Sequence, residues 1–332
     1  MTFPNPIHFV VPRSFFDRLA ALPGQTLGLD YPYWIGGQFN WAAQAWLALR
    51  QQREGLTIGC APCAGRINFA HSMVWRALGP RTGEFRVGAR ADYRRLFDVD
   101  FEFLQNPAAR CGPRQAYVPY WPIPGLIPRD PNRRALRTVA YAGRIGAKNL
   151  SSDLRRELDG HPAMRGLNFA TIPPDQWHNM SQIDLLVAVR DFAGLRHLDK
   201  PPSKLFNAWA ANVPLIGGAD SAFAEVGRPG EDYVRATTPV TFFGAVERLR
   251  QDPSYYAALV AAGRARLPEL SREAVGNAWL ELFDGPVAAA FENWQVTGRP
   301  LNPFGNALDR GYDMLARARS SLRRRAAAAS RA

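Results

Sequence analysis

Short apolar runs alternate with amphipathic segments along most of the 332-residue chain. In the first half, IHFVV, LTIGC, FRVGAR and DFEFLQN predict short strands, and FNWAAQAWLALRQQREG predicts a helix that ends at Gly55. The segment RINFAHSMVWRAL fits either a strand or a helix. Strands that alternate with helices pair in parallel, because a crossover through a helix returns the chain to the sheet in the same direction.

The second half repeats this order after a proline-rich segment, AYVPYWPIPGLIPRDPNRRA, which predicts a boundary between domains. RTVAYAG, LNFATIP, IDLLVAVR and VPLIGG predict its strands. A chain of this length exceeds one ordinary core. The sequence therefore predicts an α/β protein with two doubly wound, Rossmann-like domains that face a central cleft. We expect an acceptor domain over 1–133, a donor domain over 134–290, and a C-terminal segment, 291–332, whose helix packs back on the first domain before a basic tail.

The net charge of +12 raises the question of an anionic partner. Lysine occurs only at Lys148, Lys200 and Lys204, and all other basic residues except histidine are arginine. We expect the arginine-rich C-terminal tail to be solvated, with contact to an anionic membrane surface as the alternative. No zinc-finger, RNP-like or KH-like motif is present, so we expect no sequence-specific nucleic-acid binding.

Three features predict a cytoplasmic protein, peripheral at the inner membrane face if the tail binds lipid. The chain has no apolar run of about 18 residues, the length that a membrane span needs. Its first residues lack the basic and cleavable parts of a signal peptide. Its three cysteines form no disulfide framework.

The stretch DKPPSKLFNAWAANVPLIGG, which begins at Asp199, predicts a site for phosphate groups. Ser203 is the expected N-cap of a helix, Lys204 lies in its first turn, and Asn212 is the expected left-handed C-cap. A helix N-terminus binds anions through its unpaired N–H groups, and Lys200 and Lys204 add positive charge. The alternative is an ordinary capped surface helix with exposed lysines. A second helix start follows at ADSAFAE, with Asp220 or Ser221 as its cap.

This arrangement resembles the donor-binding half of GT-B nucleotide-sugar glycosyltransferases, especially family 4, and the proline-rich linker resembles a bacterial subgroup. Those enzymes carry an acidic residue, seven residues, a Glu, a small-residue helix, a GVPVI-type strand and a final Glu. This chain has Asp199, seven residues, Asn207, AWAANVPLIGG and Glu225, and the resemblance covers about 138–266. It implies that Asp199 contacts the donor sugar and that Asn207 contacts the ribose. Asn207 can hydrogen-bond a hydroxyl but carries no charge.

The sequence VAYAGRIGAKN resembles the loop that opens the donor domain in this family. The resemblance places Gly143, Arg144 and Lys148 near the diphosphate. IDLLVAVR resembles the strand that ends in the cleft, which places Arg190 at its mouth.

The N-terminal half is expected to hold the acceptor. Gly36 and Gly37 precede a helix as the glycine-rich loop of this fold does, although a plain tight turn is the alternative. His71 is the candidate general base or acceptor-positioning residue, because imidazole titrates near neutrality. A structural histidine is the alternative there. Asp98 and Asp100 resemble a metal-binding DxD motif, but we interpret them as solvated acids, and Cys60 and Cys63 lack further zinc ligands, so no metal site is expected.

The sequence thus predicts a metal-independent glycosyltransferase of the hexosyltransferase type, active in polysaccharide biosynthesis. It needs no cofactor, and a nucleotide-diphosphate sugar is its co-substrate. The acceptor is a glycan, a lipid-linked sugar or a small molecule. The predicted catalytic residues are His71, Asp199, Arg144 and Lys204. The resemblance implies retention of anomeric configuration, which the altered motif leaves open. The alternatives are a sugar-nucleotide epimerase or hydrolase, and a catalytically degraded binding protein of the same fold.

Overall fold

The computed structural model describes residues 5–21, 40–109, 112–121, 123–143, 145, 150–190, 192–298, 300, 302–315 and 318. Its strands are β1 (Ile7–Val10), β2 (Thr57–Gly59), β3 (Ile67–His71), β4 (Phe85–Ala89), β5 (Phe101–Leu104), β6 (Gln115–Tyr117), β7 (Thr138–Ala142), β8 (Asn168–Ile172), β9 (Leu185–Ala188), β10 (Leu215–Gly217) and β11 (Val234–Arg235).

Helices connect some of these strands, and the last helices follow one another after β11. The helices are α1 (Arg13–Ala20), α2 (Ala45–Leu49, entered through a π-helical turn at Asn40–Gln44), α3 (Ser72–Leu78), α4 (Ser152–Gly160), α5 (Ser203–Ala211), α6 (Ser221–Val226), α7 (Pro239–Gln251), α8 (Pro253–Ala265), α9 (Arg272–Leu282), α10 (Ala288–Thr297) and α11 over residues 305–315.

The first sheet has the order β2-β1-β3-β4-β5-β6, and every pair in it is parallel. Phe9 of β1 lies opposite Ile58 of β2 on one side and Phe69 of β3 on the other. The central strands β1, β3, β4 and β5 are buried along their whole length. Each of them carries a polar residue at its second position, and these side chains are buried too: His8, Asn68, Arg86 and Glu102. Burial on both faces is typical of a parallel sheet.

The segment RINFAHSMVWRAL, which fits a strand or a helix by its sequence, contains both. β3 ends at His71 and α3 begins at Ser72. The change occurs at His71 because its Nδ1 accepts a hydrogen bond from the backbone N–H of Met73 at 3.1 Å. This bond satisfies one of the N–H groups that the first turn of a helix leaves unpaired.

The second sheet has the order β11-β10-β9-β7-β8, again with parallel pairs throughout. Leu185 and Val187 of β9 and Val139 of β7 are fully buried and form the core on one face of this sheet. The prediction of two parallel-sheet α/β units is therefore confirmed. The predicted left-handed cap is confirmed too, since Asn212 ends α5 with φ 58°.

The chain returns to the first sheet after its second sheet is complete. Trp279, Phe283, Val287 and Phe291 of the α9–α10 region are fully buried in one cluster with Phe9 and the other core residues of the first sheet. The helix α11 also contacts this half, because the Asp309 carboxylate accepts hydrogen bonds from the backbone N–H groups of Phe97 and Asp98. From Val275 onward, the buried apolar residues thus belong to the core of the first sheet. The expected boundary lies later in the chain, at residue 290.

The interpretation of Asp98 and Asp100 as solvated acids is wrong. Asp100 is fully buried and Asp98 is 7% exposed. Arg81 pairs with both carboxylates, at 3.1 Å to Asp98 and 2.8 Å to Asp100, and Arg86 pairs with Asp98 at 2.9 Å. Buried carboxylates are retained where cations compensate them, and here the starts of β4 and β5 supply both signs of charge.

The proline-rich linker is attached to the second sheet through Asp184, which precedes β9 and is fully buried. Arg129 and Arg133 contact Oδ1 of Asp184 at 3.0 and 2.7 Å, and the backbone N–H of Thr138 donates to Oδ2 at 2.9 Å. Burial alone would raise the pKa of Asp184. The hydrogen bonds from Arg133, from the backbone N–H groups and from Arg129 outweigh it and lower the pKa to about 2.

Within the described residues, no helix has both the length and the apolar character that a membrane crossing requires.

We expect Asp184→Asn to lower the free energy of unfolding at pH 7 by about 3 kcal/mol, because it leaves two arginines near the core without their carboxylate. The pKa of Asp184 is lowered in the folded state, so its stabilisation is complete above about pH 5 and disappears as the pH falls toward 2. Urea denaturation at pH 7 and at pH 3 measures both effects.

The control is Asp159→Asn, which removes a carboxylate that is 56% exposed and pairs with Arg155 on the surface of α4. That change should cost no more than about 0.5 kcal/mol. An equal loss in the two variants at pH 7 would contradict the role given to Asp184.

Candidate functional site

The two sheets meet at the carboxyl ends of their strands. Asn106, which follows β5, donates from Nδ2 to Ser221 Oγ at 2.9 Å and to the backbone oxygen of His197 at 3.4 Å. Asp92, which follows β4, accepts a bond from Lys200 Nζ at 3.1 Å. Ligands of doubly wound proteins bind beyond the carboxyl ends of the strands, so this junction is the place for a functional site.

Helix α5 brings its first turn to this junction. Its apolar residues Leu205, Phe206 and Trp209 are buried, which fixes the helix against the second sheet. The helix begins at Ser203, and Pro202 occupies the N-cap position without a side-chain cap. The expectation that Ser203 is the N-cap is therefore wrong. The reason is local, since Pro202 adopts φ −78° and ψ 17° and its carbonyl already accepts the bonds from Leu205 and Phe206.

Lys204 lies in the first turn of α5 with its Nζ 5.3 Å from the centre of the Tyr141 ring. Burial, together with the charge of Arg190, lowers the pKa of Lys204 to about 8, although the charges of Asp220 and Asp92 oppose this shift. The desolvated ammonium is a strong site for an anion, because a bound phosphate would restore the solvation that burial removed.

Arg190 follows β9 and is 7% exposed. Its Nε donates to Oδ1 of Asp220 at 3.0 Å, and Asp220 is 2% exposed. Burial opposes the charged form of Arg190, yet the charge of Asp220 outweighs it and raises the pKa of the guanidinium. Asp220 occupies the N-cap position of α6 without capping it, because its carboxylate contacts Arg190 instead. Sequence analysis considered Asp220 only as a cap.

Gly143 ends β7 at a point where no side chain fits. A Cβ at this position would lie 2.5 Å from Cε1 of Tyr141. The hydroxyl of Tyr141 in turn accepts a hydrogen bond from the backbone N–H of Leu150 at 3.0 Å, and Ile145 forms a bridge with Leu150. Tyr141 thus holds both ends of the loop that the sequence resemblance assigned to the diphosphate. Arg144 and Lys148, the predicted ligands in this loop, lie outside the described residues.

The three residues of the resemblance motif lie in different settings. Asp199 is 40% exposed, and its Oδ2 is 3.9 Å from Lys200 Nζ. Asn207 lies half-buried on α5, one turn after Lys204, so that both side chains share one side of the helix. Glu225 is 46% exposed, and its carboxylate lies 4.0 Å from the guanidinium of Arg196. The roles assigned to all three residues stay predictions.

His71 is 1% exposed at the end of β3. Its ring lies edge-on to Tyr93 with the centroids 5.4 Å apart, and its Nδ1 caps α3. Burial lowers the pKa of His71 to about 4, with a smaller contribution from the charge of Arg76, so the ring is neutral at pH 7. These contacts describe a structural histidine, and its role as general base stays a prediction. Gly36 and Gly37, the other acceptor-side candidates, lie outside the described residues.

Asp92 is the charged group of the first sheet that faces this site, and sequence analysis missed it. Besides its contact with Lys200, its charge acts on Arg190 and on Lys204. A lone aspartate in a loop carries no motif, and only the meeting of two sheets brings it to the lysine.

The described residues therefore gather three cations, Lys200, Lys204 and Arg190, at an uncapped helix start. Such a set can bind a dianionic phosphate group and stabilise charge that forms on its oxygens. Among the described residues, no group of three or more histidine, cysteine, aspartate or glutamate side chains is arranged to hold a metal ion.

We expect Gly143→Ala to lower the free energy of unfolding by about 1–3 kcal/mol, because the added methyl group would overlap the buried Tyr141 ring. Chemical denaturation measures this loss. The control is Gly160→Ala at the end of α4, where no atom lies within 4 Å of an added Cβ. A loss at Gly143 no greater than at Gly160 would show that the loop start is loosely packed.

No protein-family model matches the chain, and no curated protein matches its sequence. Solved structures do match its fold. AviGT4, a glycosyltransferase involved in avilamycin A biosynthesis, aligns over 86% of this chain and 99% of its own at 13% identity and a TM-score of 0.51. Sucrose-phosphate synthase from Thermosynechococcus elongatus aligns over 86% and 100% at 13% identity and a TM-score of 0.50.

HepE of Anabaena, solved with UDP and glucose, aligns over 83% of this chain and 98% of its own at 10% identity and a TM-score of 0.50. The chain spans 55% of the length of TarM, at 9% identity and a TM-score of 0.47. Identities this low establish a shared fold and nothing finer. The protein therefore has the GT-B fold, with two parallel-sheet α/β units that meet at the carboxyl ends of their strands.

Proposed function

We propose that the protein is a glycosyltransferase that moves a sugar from a nucleotide-diphosphate sugar to an acceptor hydroxyl. The observation that carries this proposal is the set of Lys204 and Arg190 beside the uncapped start of α5, at the junction of the two sheets. The likeness of the fold to AviGT4 and to HepE, which was solved with UDP and glucose, supports the same class of reaction. Membership of family 4 and of its bacterial subgroup belongs to this proposal.

The reaction breaks the bond between the anomeric carbon and an oxygen of the second phosphate. The electron pair of that bond passes to the phosphate oxygen, the acceptor oxygen bonds to the anomeric carbon, and the proton of the acceptor hydroxyl passes to the departing diphosphate or to water. Negative charge therefore grows on the departing diphosphate. Lys204, Arg190 and the N–H groups at the start of α5 lie where they would stabilise this charge, which lowers the barrier because the interaction strengthens in the transition state.

Asp220 holds the guanidinium of Arg190 in place. In the proposal, Arg144 and Lys148 add charge from the adjoining loop. Asp199 contacts the sugar and Asn207 a ribose hydroxyl, with Glu225 as the third residue of the motif.

The cations at the site replace a metal ion in this proposal, and the acceptor binds on the side of the first sheet. The acceptor is a glycan, a lipid-linked sugar or a small molecule. The stereochemical outcome and a role in polysaccharide synthesis remain parts of the proposal, as does membrane contact through the arginine-rich tail after residue 315.

A thermal-shift screen with UDP, GDP, dTDP and CDP, followed by transfer assays with the corresponding sugars, tests the proposal. A nucleoside diphosphate at a concentration well above its dissociation constant should raise the melting temperature, since it binds only the folded protein. Transfer should continue in EDTA. Free sugar or an epimer formed without acceptor would favour a hydrolase or epimerase, and donor binding without any product would favour a degraded binding protein.

We expect Lys204→Met to reduce turnover about 100-fold, because it removes charge that the transition state needs most. It should also weaken binding of the nucleoside diphosphate about tenfold. The control is Arg228→Met, which removes one positive charge from a side chain that is 68% exposed. Unchanged turnover in the Lys204 variant would place the diphosphate elsewhere.

We expect diphosphate binding at pH 8.5 to take up a measurable fraction of one proton. The pKa of Lys204 is about 8 in the free protein, so most of its ammonium is deprotonated at this pH, and a bound anion raises the pKa again. For the same reason, affinity should fall as the pH rises through 8. Calorimetry in two buffers with different ionisation enthalpies measures the uptake.

Lys204→Arg is the matched variant for this measurement, because arginine keeps its charge at every pH used. Its binding should show no uptake from this position. Equal uptake in the wild type and in this variant would mean that a different group titrates.

A further inference from the structure

Asp92 lies in the loop after β4, in the first half of the chain. Its carboxylate contacts Lys200, a cation of the site that belongs to the second half. Its Oδ2 lies 3.1 Å from Lys200 Nζ, and its Oδ1 accepts a bond from Gln105 Nε2 at 3.4 Å. We propose that Asp92 is an internal competitor for the second phosphate of a nucleoside diphosphate, and that it lowers the preference of the site for nucleoside diphosphates over monophosphates. This inference rests on the proposed function and names a specificity-determining residue for it.

The two partners of this ion pair differ in exposure. The side chain of Lys200 is 12% exposed, whereas that of Asp92 is 52% exposed. Loss of Asp92 would leave a mostly desolvated ammonium with Asp199, at 3.9 Å, as its nearest carboxylate. A cation that is mostly removed from water is costly to leave without a counter-charge. Lys200 therefore releases the carboxylate of Asp92 readily only when a phosphate of the ligand takes its place. Because the Asp92 side chain is about half exposed, its carboxylate can turn toward solvent when this exchange takes place.

The backbone on both sides of the junction is held in an unusual conformation. Ala91, directly before Asp92, has φ 50°, and His197, three residues before Lys200, has φ 44°. Residues other than glycine adopt the left-handed region rarely and do so where the surrounding structure imposes it. The backbone oxygen of His197 accepts bonds from the N–H of Lys200 at 2.9 Å and from Asn106 at 3.4 Å. The facing positions of Asp92 and Lys200 are therefore built into both loops.

The carboxylate also partly offsets the other two cations of the site. Its charge raises the pKa of Arg190 and opposes the lowering at Lys204. A phosphate that reaches Lys204 and Arg190 alone leaves the Asp92–Lys200 pair closed. A second phosphate that extends to Lys200 must displace Asp92, and the terminal phosphate of a free nucleoside diphosphate can do so because, as a dianion, it carries more charge than one carboxylate. The free energy needed for that displacement weakens binding of the diphosphate, whereas the monophosphate binds without it.

The test compares dissociation constants for a nucleoside diphosphate that the wild type binds, chosen from UDP, GDP, dTDP and CDP, and for its monophosphate. Asp92→Asn should bind the diphosphate about three to ten times more tightly, because the competing charge is gone. Its affinity for the monophosphate should rise much less, because Asp92 acts on Lys204 and Arg190 only through its charge at longer range. In a Lys200→Met background, Asp92→Asn should produce no gain for the diphosphate beyond that for the monophosphate, since the competition acts through that lysine.

Asp175→Asn is the matched control, because it removes an exposed carboxylate from the second half of the chain. It should leave both dissociation constants at their wild-type values. This comparison separates a local exchange at Lys200 from a general change in net charge, as does repetition at high salt, which screens distant charges.

An unchanged or weaker affinity of Asp92→Asn for the diphosphate, at a wild-type melting temperature, would overturn the inference. An equal gain for the monophosphate would overturn it as well. Either result with a wild type that binds a nucleoside diphosphate leaves the proposed function standing. A wild type that binds none of the four diphosphates would overturn the proposed function, and the inference with it.

Discussion

The buried ion pair between Arg190 and Asp220 is the interaction on which the candidate site depends. It joins the end of β9 to the start of α6, and both side chains are almost completely removed from water. Burying two charges is costly, and it is tolerated only where the geometry is good. Because Asp220 contacts Arg190 directly, it acts on Lys204 only at longer range, and the lysine keeps a lowered pKa. One buried pair thus leaves a neighbouring cation ready for an external anion.

Much of the architecture could be predicted because it follows from local chemistry. Apolar runs bounded by turns predicted the parallel strands, and Asn212 predicted the end of α5 because asparagine tolerates the left-handed conformation. Lys204 was selected from its place in the first turn of that helix. These signals lie within a few residues of the feature that they specify, so one sequence is enough to read them.

The remaining features depend on contacts between distant parts of the chain. Asp92 and Lys200 are 108 positions apart, and Arg190 and Asp220 are 30 apart. Asp98 and Asp100 were expected in water, yet they are buried, and Arg81 before β4 pairs with both of them. The periodicity of a single sequence does not indicate which charged side chains from distant parts of the chain will form ion pairs. Ser203 shows the same limit at short range, because the conformation of the preceding proline moved the helix start by one residue.

The return of α9 to the first core means that the backbone passes twice between the halves. The indole Nε1 of Trp279 on the returning helix donates to the carbonyl of Pro119 on the outgoing linker at 3.1 Å. On the same helix, Gly276 leaves no space for a Cβ beside Gln52, so the returning segment fits closely against the first half. A body held by two adjacent crossings can swing about them but cannot slide or twist freely. The two adjacent connections therefore restrict sliding and twisting of one half against the other more than they restrict rotation about the line that joins them.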